Sequence, residues 1–234
     1  MSFEFEQIGV VHSPFKEKFG IPRQSGLVPE AGATLELIPP YNRPEAVAGL
    51  DGYSHIWLQF VFHQVHRAQW QPTVRPPRLG GNRRVGVFAS RSPFRPNPMG
   101  LSVVRLESVS VTAGAVSLQL AGVDLLDGTP VLDIKPYISY ADSIADARSG
   151  FARNPPAIRL KVVFSALAER QLASRTDGLA TRRLIEALLQ TDPRPAYACR
   201  SQQGRGHGIR LYDFDLRWRV REDGVAEVLE LVPE

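Results

Sequence analysis

The sequence has a single cysteine, Cys199, and no long apolar run. One cysteine excludes an intrachain disulfide and a cysteine-rich metal cluster. No apolar stretch reaches the roughly 18 residues that a membrane-spanning helix requires. Residues 1–10 are acidic where a secretory signal peptide requires basic residues. We therefore expect a soluble, cytoplasmic protein with no membrane partner.

Several catalytic fingerprints are also missing. No G-x-G-x-x-G follows a strand, so an ordinary dinucleotide or Rossmann-type cofactor site is not indicated. No P-loop, H-E-x-x-H or G-x-S-x-G is present, and the histidines lack metal-ligand spacing, so we expect no metal. The nearest glycine pattern, from Gly204 to Gly208, is polar and leads into a strand, and we interpret it as a flexible loop.

Acidic residues are absent between Asp51 and Glu107. A solvated surface normally mixes charges of both signs, so this one-sign stretch indicates an anionic ligand, and phosphate is the usual partner of arginine. A genomic preference for arginine over lysine would explain the choice of base but not the missing acids. The stretch carries more positive charge than the whole chain's formal +4, so the remainder is net acidic. Its arginines are Arg67, Arg75, Arg78, Arg83, Arg84, Arg91, Arg95 and Arg105.

Apolar and polar residues alternate through much of residues 1–140. Ile56, Leu58 and Phe60 share one face while Trp57 and Gln59 share the other, which is the period of a strand. Many short strands without long intervening helices favour a β-barrel or a sandwich, with one short helix after Asn42. The predicted strands of this region cover residues 3–11, 34–38, 56–63, 85–89, 101–111, 115–120 and 131–134.

The pattern changes after a polar, proline-ended linker over residues 140–156. Strands are predicted for residues 158–164, 212–220 and 225–232, the last two joined by an Asp223-Gly224 turn. Helices are predicted for residues 166–175 and 179–190, the second with an apolar stripe. The fold class is therefore mainly β, with a domain over 1–140 and a smaller α+β domain over 141–234.

Two segments combine unusual chemistry with restricted backbones. Residues 86–101 contain a strand that runs into a loop with three prolines, which restrict the positions of Arg91 and Arg95. Such arginines suit carboxylate or phosphate recognition, although a stiff structural turn would also explain them. The second segment, residues 122–137, places Asp124, Asp127 and Asp133 among apolar residues, where carboxylates need partners or a ligand. Turn formation by Asp127 and an ion pair of Asp133 with Lys135 are the structural alternatives.

These segments resemble the TsaA-like family, and the resemblance covers nearly the full chain, most closely its bacterial tRNA-methylating members. Matching runs also occur at residues 8–10, 13–15, 22–24, 60–64, 75–81 and 192–197. The resemblance implies a six- or seven-stranded N-terminal β-barrel that binds S-adenosylmethionine, a homodimer with the cofactor near the subunit interface, and a C-terminal domain that helps bind tRNA. It implies methylation of N6 of threonylcarbamoyladenosine at position 37, just 3′ of the anticodon.

Site residues follow from matching positions and from chemistry. As hydrogen-bond acceptor for the N6 N–H we predict the amide of Asn97, with Asp192 as its rival; this rests on analogy with other adenine-N6 methyltransferases. The predicted RNA contacts are Arg78, Arg83, Arg84, Arg95, Arg194 and Tyr197, with Tyr197 placed to stack on a base. The predicted cofactor contacts are Gln24, Ser25, Gly26, His63, Gln64, Arg91, Leu101, Val123, Asp124, Leu125 and Asp127.

Two other functions fit the residues. A non-catalytic RNA-binding barrel would use the same arginines, together with the aromatic residues Trp57, Trp70 and Phe94. An enzyme acting on a small anionic molecule would use the arginines to recognise a carboxylate or phosphate. Binding of S-adenosylmethionine distinguishes the first from a methyltransferase, and copurifying tRNA distinguishes the second.

Overall fold

The computed structural model describes residues 3–65, 69–112, 114–154, 160–194 and 204–233. Within these ranges no helix is both long and apolar enough to cross a membrane. The helices are α1 (Ser139–Asp142), α2 (Ala166–Ala173) and α3 (Gly178–Gln190), with short 3-10 turns elsewhere. The strands are β1 (Gly9–His12), β2 (Ala33–Leu37), β3 (His55–Val61), β4 (Thr73–Val74), β5 (Val85–Gly86), β6 (Met99–Thr112), β7 (Ala115–Ala121), β8 (Thr129–Pro136), β9 (Lys161–Phe164), β10 (Gly206–Leu211), β11 (Phe214–Val220) and β12 (Val225–Pro233).

The predicted N-terminal barrel is confirmed as a closed six-stranded barrel in the order β1-β2-β7-β6-β3-β8. Its neighbouring strands are antiparallel throughout. Closure pairs every strand on both sides, which removes the exposed edges of an open sheet. Because of the antiparallel registers, the ends of β1, β3 and β7 lie at the same end of the barrel as the starts of β2, β6 and β8.

Alternation along β3 directs side chains into and out of the barrel. Ile56, Leu58 and Phe60 are buried inside, and burial of each contributes about 1.5–3 kcal/mol to stability. Phe60 pairs with Gly100 of β6, where a Cβ would lie 2.2 Å from the Phe60 ring. Glycine at position 100 therefore makes room for the ring in the barrel core.

The C-terminal residues form a second sheet in the order β10-β11-β12-β9, antiparallel except for β9 against β12. Helices α2 and α3 pack on it. The side chain of Ser165 caps α2 by accepting a hydrogen bond from the Ala168 amide, and the predicted apolar stripe of α3 is buried. Trp218, fully buried, is the largest side chain of this core.

The segment after β1 connects the two sheets. Phe15 forms a bridge with Leu211, and the amide of Tyr212 donates to the Pro14 carbonyl at 2.8 Å. A Cβ at Gly20 would lie 2.6 Å from the Ile209 side chain, so this segment lies directly against β10. The C-terminal domain therefore attaches at the barrel end where β1 finishes.

Some local predictions were wrong. The strand predicted for residues 3–11 begins only at Gly9, because the exposed Phe3 and Phe5 have no sheet neighbour among the described residues. The strand predicted over 85–89 stops after two residues and becomes a 3-10 turn. The predicted flexible loop at 204–208 overlaps β10, which begins at Gly206, because pairing with β11 supplies the hydrogen bonds that local composition does not reveal.

Candidate active site

Two backbone segments meet closely at the barrel end that receives the C-terminal domain. The amide of Gly26 donates to the carbonyl of Gly122 at 2.8 Å, and the amide of Val123 donates to Ala31 at 3.0 Å. Gly122 has φ +70°, and a Cβ there would lie 3.3 Å from the backbone of Gly26. The contact requires glycine both for its backbone conformation and for its small size.

Asp124 follows this contact directly, and its carboxylate has a raised pKa. Burial is the largest influence and raises the pKa of Asp124 above its ordinary value of 3.8. Hydrogen bonds oppose it, first from the Ser102 hydroxyl, whose Oγ lies 2.7 Å from Oδ1, and then from backbone groups that include Ser25. The positive charge of Arg91 also lowers this pKa.

Arg91 brings the proline-containing loop to the same place. Its Nη1 donates a hydrogen bond to Oε1 of Gln24, while its side chain remains exposed. The structure therefore gathers Gln24, Ser25, Gly26, Arg91 and Asp124 from three separate segments. Together they place a carboxylate, an amide and a guanidinium at one surface, which can bind a ligand that carries both signs of charge.

The place where Gln24, Arg91 and Asp124 meet is called the ligand junction below. The remaining predicted cofactor residues lie at or next to it. Val123 and Leu125 flank Asp124 and are buried, and Leu101 precedes Ser102 with 52% of its surface exposed. His63 and Gln64 follow β3 at the same barrel end. Phe62 donates to the Pro98 carbonyl at 2.8 Å, and the Gln64 carbonyl accepts from Lys18 Nζ at 2.6 Å.

Asp127 and Asp133 have protein partners. The carboxylate of Asp127 accepts from the Ser13 amide at 2.9 Å and from Lys16 Nζ at 2.7 Å, so both of its oxygens anchor the segment after β1. This arrangement supports a structural role for Asp127 rather than the predicted cofactor contact. Asp133 pairs with Lys135 at 2.7 Å, which is the structural alternative predicted for it.

The proline-containing loop presents Asn97 to solvent. Its side chain is exposed, and its carbonyl accepts from the Met99 amide at 2.7 Å. The side chain of Arg95 is fixed by the loop backbone, since its Nη1 donates a hydrogen bond to the Ser90 carbonyl at 2.7 Å. The loop therefore displays an amide and a fixed arginine next to Arg91.

Arg78, Arg83 and Arg84 are exposed in the segment between β4 and β5. Arg84 donates to Thr73 Oγ1 at 2.8 Å, and Arg78 donates to the Asn154 carbonyl. Of the aromatic residues considered for RNA binding, Trp57 is half-buried and donates from Nε1 to Asp142 at 3.0 Å. The pKa of Asp142 is lowered mainly by the hydrogen bond from the Ile138 amide and, to a smaller extent, by this bond from Trp57.

Asp192 and Arg194 bind each other inside the C-terminal domain. Their side chains are 5% and 4% exposed, and the Nε–Oδ1 and Nη2–Oδ2 distances are both 2.8 Å. With both carboxylate oxygens engaged, Asp192 is less suited than Asn97 to accept a proton, and Arg194 as placed does not offer its charge to solvent. Tyr197 lies outside the described residues.

Ser102 is a candidate site residue that could not be identified from the sequence patterns above. It lies on the inward face of β6, the same face as Val104 and Leu106, and is only 5% exposed. A hydroxyl at an apolar core position needs a partner, and that was the available signal. Within the described ranges there is no group of three or more histidine, cysteine, aspartate or glutamate side chains suited to hold a metal.

The fold defines a protein built on a closed β-barrel, with exposed arginines and a cluster of charged and amide groups suited to a ligand that carries both signs of charge. The chain belongs to the tRNA-methyltransferase O family. Residues 10–143 match the tRNA-methyltransferase O N-terminal domain, and residues 157–234 match the TrmO C-terminal domain.

Individual relatives agree with this assignment. The chain is 51% identical over 233 residues to the tRNA (adenine(37)-N6)-methyltransferase of Escherichia coli K12, covering 99% of both chains. A putative S-adenosylmethionine-dependent methyltransferase of Pseudomonas aeruginosa is 48% identical and covers 99% of this chain and 98% of its own length. The crystal structure of TrmO from Pseudomonas aeruginosa superposes with a TM-score of 0.82 at 43% identity, covering 99% of each chain.

Proposed function

We propose that this protein is an S-adenosylmethionine-dependent tRNA methyltransferase that methylates N6 of the adenosine at position 37. The observation that carries the proposal is the junction of Gln24, Arg91 and Asp124 at the barrel end, in a chain of the tRNA-methyltransferase O family. The exposed arginines of the neighbouring loop supply a surface for the RNA backbone.

The residues at the junction fit the charges of S-adenosylmethionine. This cofactor has a positive sulfonium and ammonium and a negative carboxylate. Asp124 offers a partly buried negative charge, Arg91 offers a positive one, and the amide of Gln24 lies hydrogen-bonded to Arg91. The close Gly26–Gly122 contact holds the segment that carries Gln24 and Ser25 beside Asp124. We propose that Gln24, Ser25, Gly26, His63, Gln64, Arg91, Leu101, Val123, Asp124 and Leu125 hold the cofactor.

The cofactor would supply an activated methyl group, and the protein would orient the acceptor amine, which releases its proton to water once it carries the methyl group. The exocyclic amine of adenine is a weak nucleophile because its lone pair is delocalised into the ring. A hydrogen-bond acceptor on its N–H increases its reactivity. We propose that Asn97 is this acceptor, since it is exposed on the loop that carries Arg91.

We further propose that Arg78, Arg83, Arg84 and Arg95 contact tRNA phosphates. The domain over 141–234 assists, through the segment that begins with the Asp192–Arg194 pair and includes Tyr197. Its attachment at the same barrel end supports this arrangement, because the C-terminal sheet then lies on the side of the ligand junction.

The finer features of the proposal are the substrate's modification, the assembly and the location. We propose that adenosine 37 already carries threonylcarbamoyl, as the resemblance implies, and that the enzyme acts in the cytoplasm. We propose a homodimer with its interface near the cofactor. Leu101, which is apolar and 52% exposed beside Ser102, supports this placement.

Methyl transfer from labelled S-adenosylmethionine to total tRNA tests the proposal. The tRNA comes from cells with and without the threonylcarbamoyl modification. Label only in modified tRNA is the expected result, and equal label in both would overturn the requirement for the modification. Cofactor binding without labelled tRNA would favour a small anionic acceptor, and absence of cofactor binding would favour a non-catalytic RNA-binding barrel.

A further inference from the structure

Two large aromatic side chains lie next to each other on the surface of residues 52–106, the arginine-rich segment that contains no acidic residue. Trp70 is 52% exposed and Phe88 is 73% exposed. Their ring centroids are 6.5 Å apart with 33° between the ring planes. Exposed aromatic faces of this size commonly mark a binding surface.

The backbone holds this aromatic pair in place. The short strands β4 and β5 pair Thr73 with Gly86 and thereby join the segments that carry the two rings. The amide of Val87 donates to the Pro72 carbonyl at 2.9 Å, and the Val87 side chain is buried at 1% exposure. Phe88 is the next residue in the chain. Burial of Val87 therefore fixes the backbone in a position that leaves the Phe88 side chain exposed.

A positive charge lies beside the pair. The guanidinium of Arg95 lies 5.8 Å from the centroid of the Phe88 ring, and Arg95 is itself held by the Ser90 carbonyl at 2.7 Å. No acidic residue occurs between Asp51 and Glu107 in the sequence. Aromatic faces combined with arginines are the combination that binds unpaired nucleobases, since the rings stack on bases while arginines contact phosphates.

The pair is also close to the ligand junction along the chain. Arg91, which contacts Gln24 in the predicted cofactor loop, lies three positions after Phe88 in the chain. A fully extended chain spans at most about 11 Å over three residues, so the two backbone positions are no farther apart than that. A base on the aromatic pair would therefore belong to the same RNA loop as the nucleotide that presents its amine.

We propose that Trp70 and Phe88 form a stacking platform for an unpaired base of the tRNA anticodon loop, with Arg95 fixing the Phe88 ring. This inference rests on the proposed function, because that function provides the RNA loop. It adds a recognition element distinct from the phosphate contacts. The platform selects the unpaired loop, whereas the arginines bind any part of the backbone.

The test uses the full-length protein and an RNA hairpin with the anticodon stem and loop of tRNA. Phe88→Leu and Trp70→Leu are each expected to weaken hairpin binding roughly 5- to 150-fold, the range for loss of one base–aromatic stack. Phe88→Tyr retains the ring and is expected to bind normally. Phe5→Leu is the matched control, because Phe5 is 66% exposed but lies outside the arginine-rich segment.

Salt dependence separates stacking from charge. Loss of a stack lowers affinity without changing the slope of log affinity against log salt concentration, because no phosphate contact is lost. Tryptophan fluorescence supplies a second measurement. Hairpin addition is expected to quench the emission of the wild type, and Trp70→Phe is expected to abolish most of that quenching.

Three results would overturn the platform. One is unchanged hairpin affinity in Phe88→Leu when its melting temperature and its cofactor binding equal those of the wild type. The second is weakened binding accompanied by dissociation of the oligomer in sedimentation, which would assign the rings to a contact between two copies. The third is equal affinity for the hairpin and for a loop-free duplex. Failure of the proposed function is distinct, since it would show as absence of methyl transfer by the wild type.

Discussion

Ser102 donates a 2.7 Å hydrogen bond to Asp124, so that strand β6 holds the carboxylate carried by the loop after β7. Both residues are at the barrel end where the Gly26–Gly122 contact forms. The bond lowers the pKa of Asp124 against the larger raising effect of burial. Ser102 is therefore positioned to keep Asp124 ionised, which is the state that would bind a cationic ligand.

Ser102→Ala is expected to raise the pKa of Asp124 further, because the opposing hydrogen bond is lost. We expect the KM for S-adenosylmethionine to rise about tenfold, as for loss of a charged hydrogen bond, and the acidic limb of the kcat/KM profile to shift to higher pH. Ser102→Thr keeps the hydroxyl and should restore the profile. A pH-independent loss in Ser102→Ala would indicate a packing role alone.

Asp124→Asn is expected to increase stability and decrease cofactor affinity. Because the pKa of Asp124 in the folded protein lies above its ordinary value of 3.8, stability from this group falls as pH rises from 3.8 through the folded-state pKa. We therefore expect the variant to have a higher Tm than the wild type at pH 7, and cofactor affinity at least tenfold lower. A lower Tm at neutral pH would mean that Ser102 and Arg91 outweigh the cost of burial.

Asn97→Ala tests the acceptor role of the exposed amide. We expect kcat to fall about tenfold, the effect of losing a hydrogen bond between neutral groups of about 1.4 kcal/mol, with cofactor affinity and the KM for tRNA unchanged. Asn82→Ala, at an exposed asparagine of the same arginine-rich segment, is the matched control. Single-turnover rates measure the step directly. Near-normal turnover of Asn97→Ala with unchanged folding would exclude the acceptor role.

Asp192→Asn tests the rival residue. The Asp192–Arg194 pair is almost fully buried, and breaking such a pair costs about 3–5 kcal/mol of unfolding free energy. We expect lower stability and weaker tRNA binding, with little change in single-turnover kcat at saturating tRNA. Asp213→Asn breaks an exposed pair with Arg175 and should cost about 1 kcal/mol or less. A large loss of kcat at unchanged stability would instead make Asp192 the acceptor.

Arg83→Ala tests the phosphate surface. Arg83 is exposed at the turn between β4 and β5, and we expect its removal to reduce the slope of log tRNA affinity against log salt by about 1. Arg43→Ala, whose arginine is 72% exposed but lies outside the arginine-rich segment, should leave the slope unchanged. An unchanged slope in Arg83→Ala would mean that tRNA follows another surface.

The strand predictions succeeded where burial on one face gives a regular signal. Ile56, Leu58 and Phe60 alternate with more exposed neighbours, and β3 has those bounds because one face lines a closed barrel. The prediction failed at Gly206, since β10 depends on pairing with β11, a partner that local composition does not show. It also failed at Phe3 and Phe5, where alternation is present without a sheet neighbour among the described residues.

The candidate site shows the same division. The proline-restricted loop with Arg91, the acidic Asp124 among apolar residues and the long arginine-rich segment could all be recognised in the sequence, because restricted backbones and uncompensated charges are local properties. The resemblance added Gln24 to the same set. That these residues lie together could not be predicted from their separation in the sequence. Antiparallel pairing of the strands brings residues 24, 91 and 124 to one barrel end.

The sequence by itself determined the alternation of buried and exposed positions, the charge distribution and the family. Only the tertiary structure decided which polar residues have protein partners. Asp127 binds Lys16 and Asp192 binds Arg194, whereas Asp124 is left with Ser102 and the influence of Arg91 at the ligand junction. The reason is physical: the cost of burying a charge depends on the groups that folding brings around it, and those groups come from distant segments.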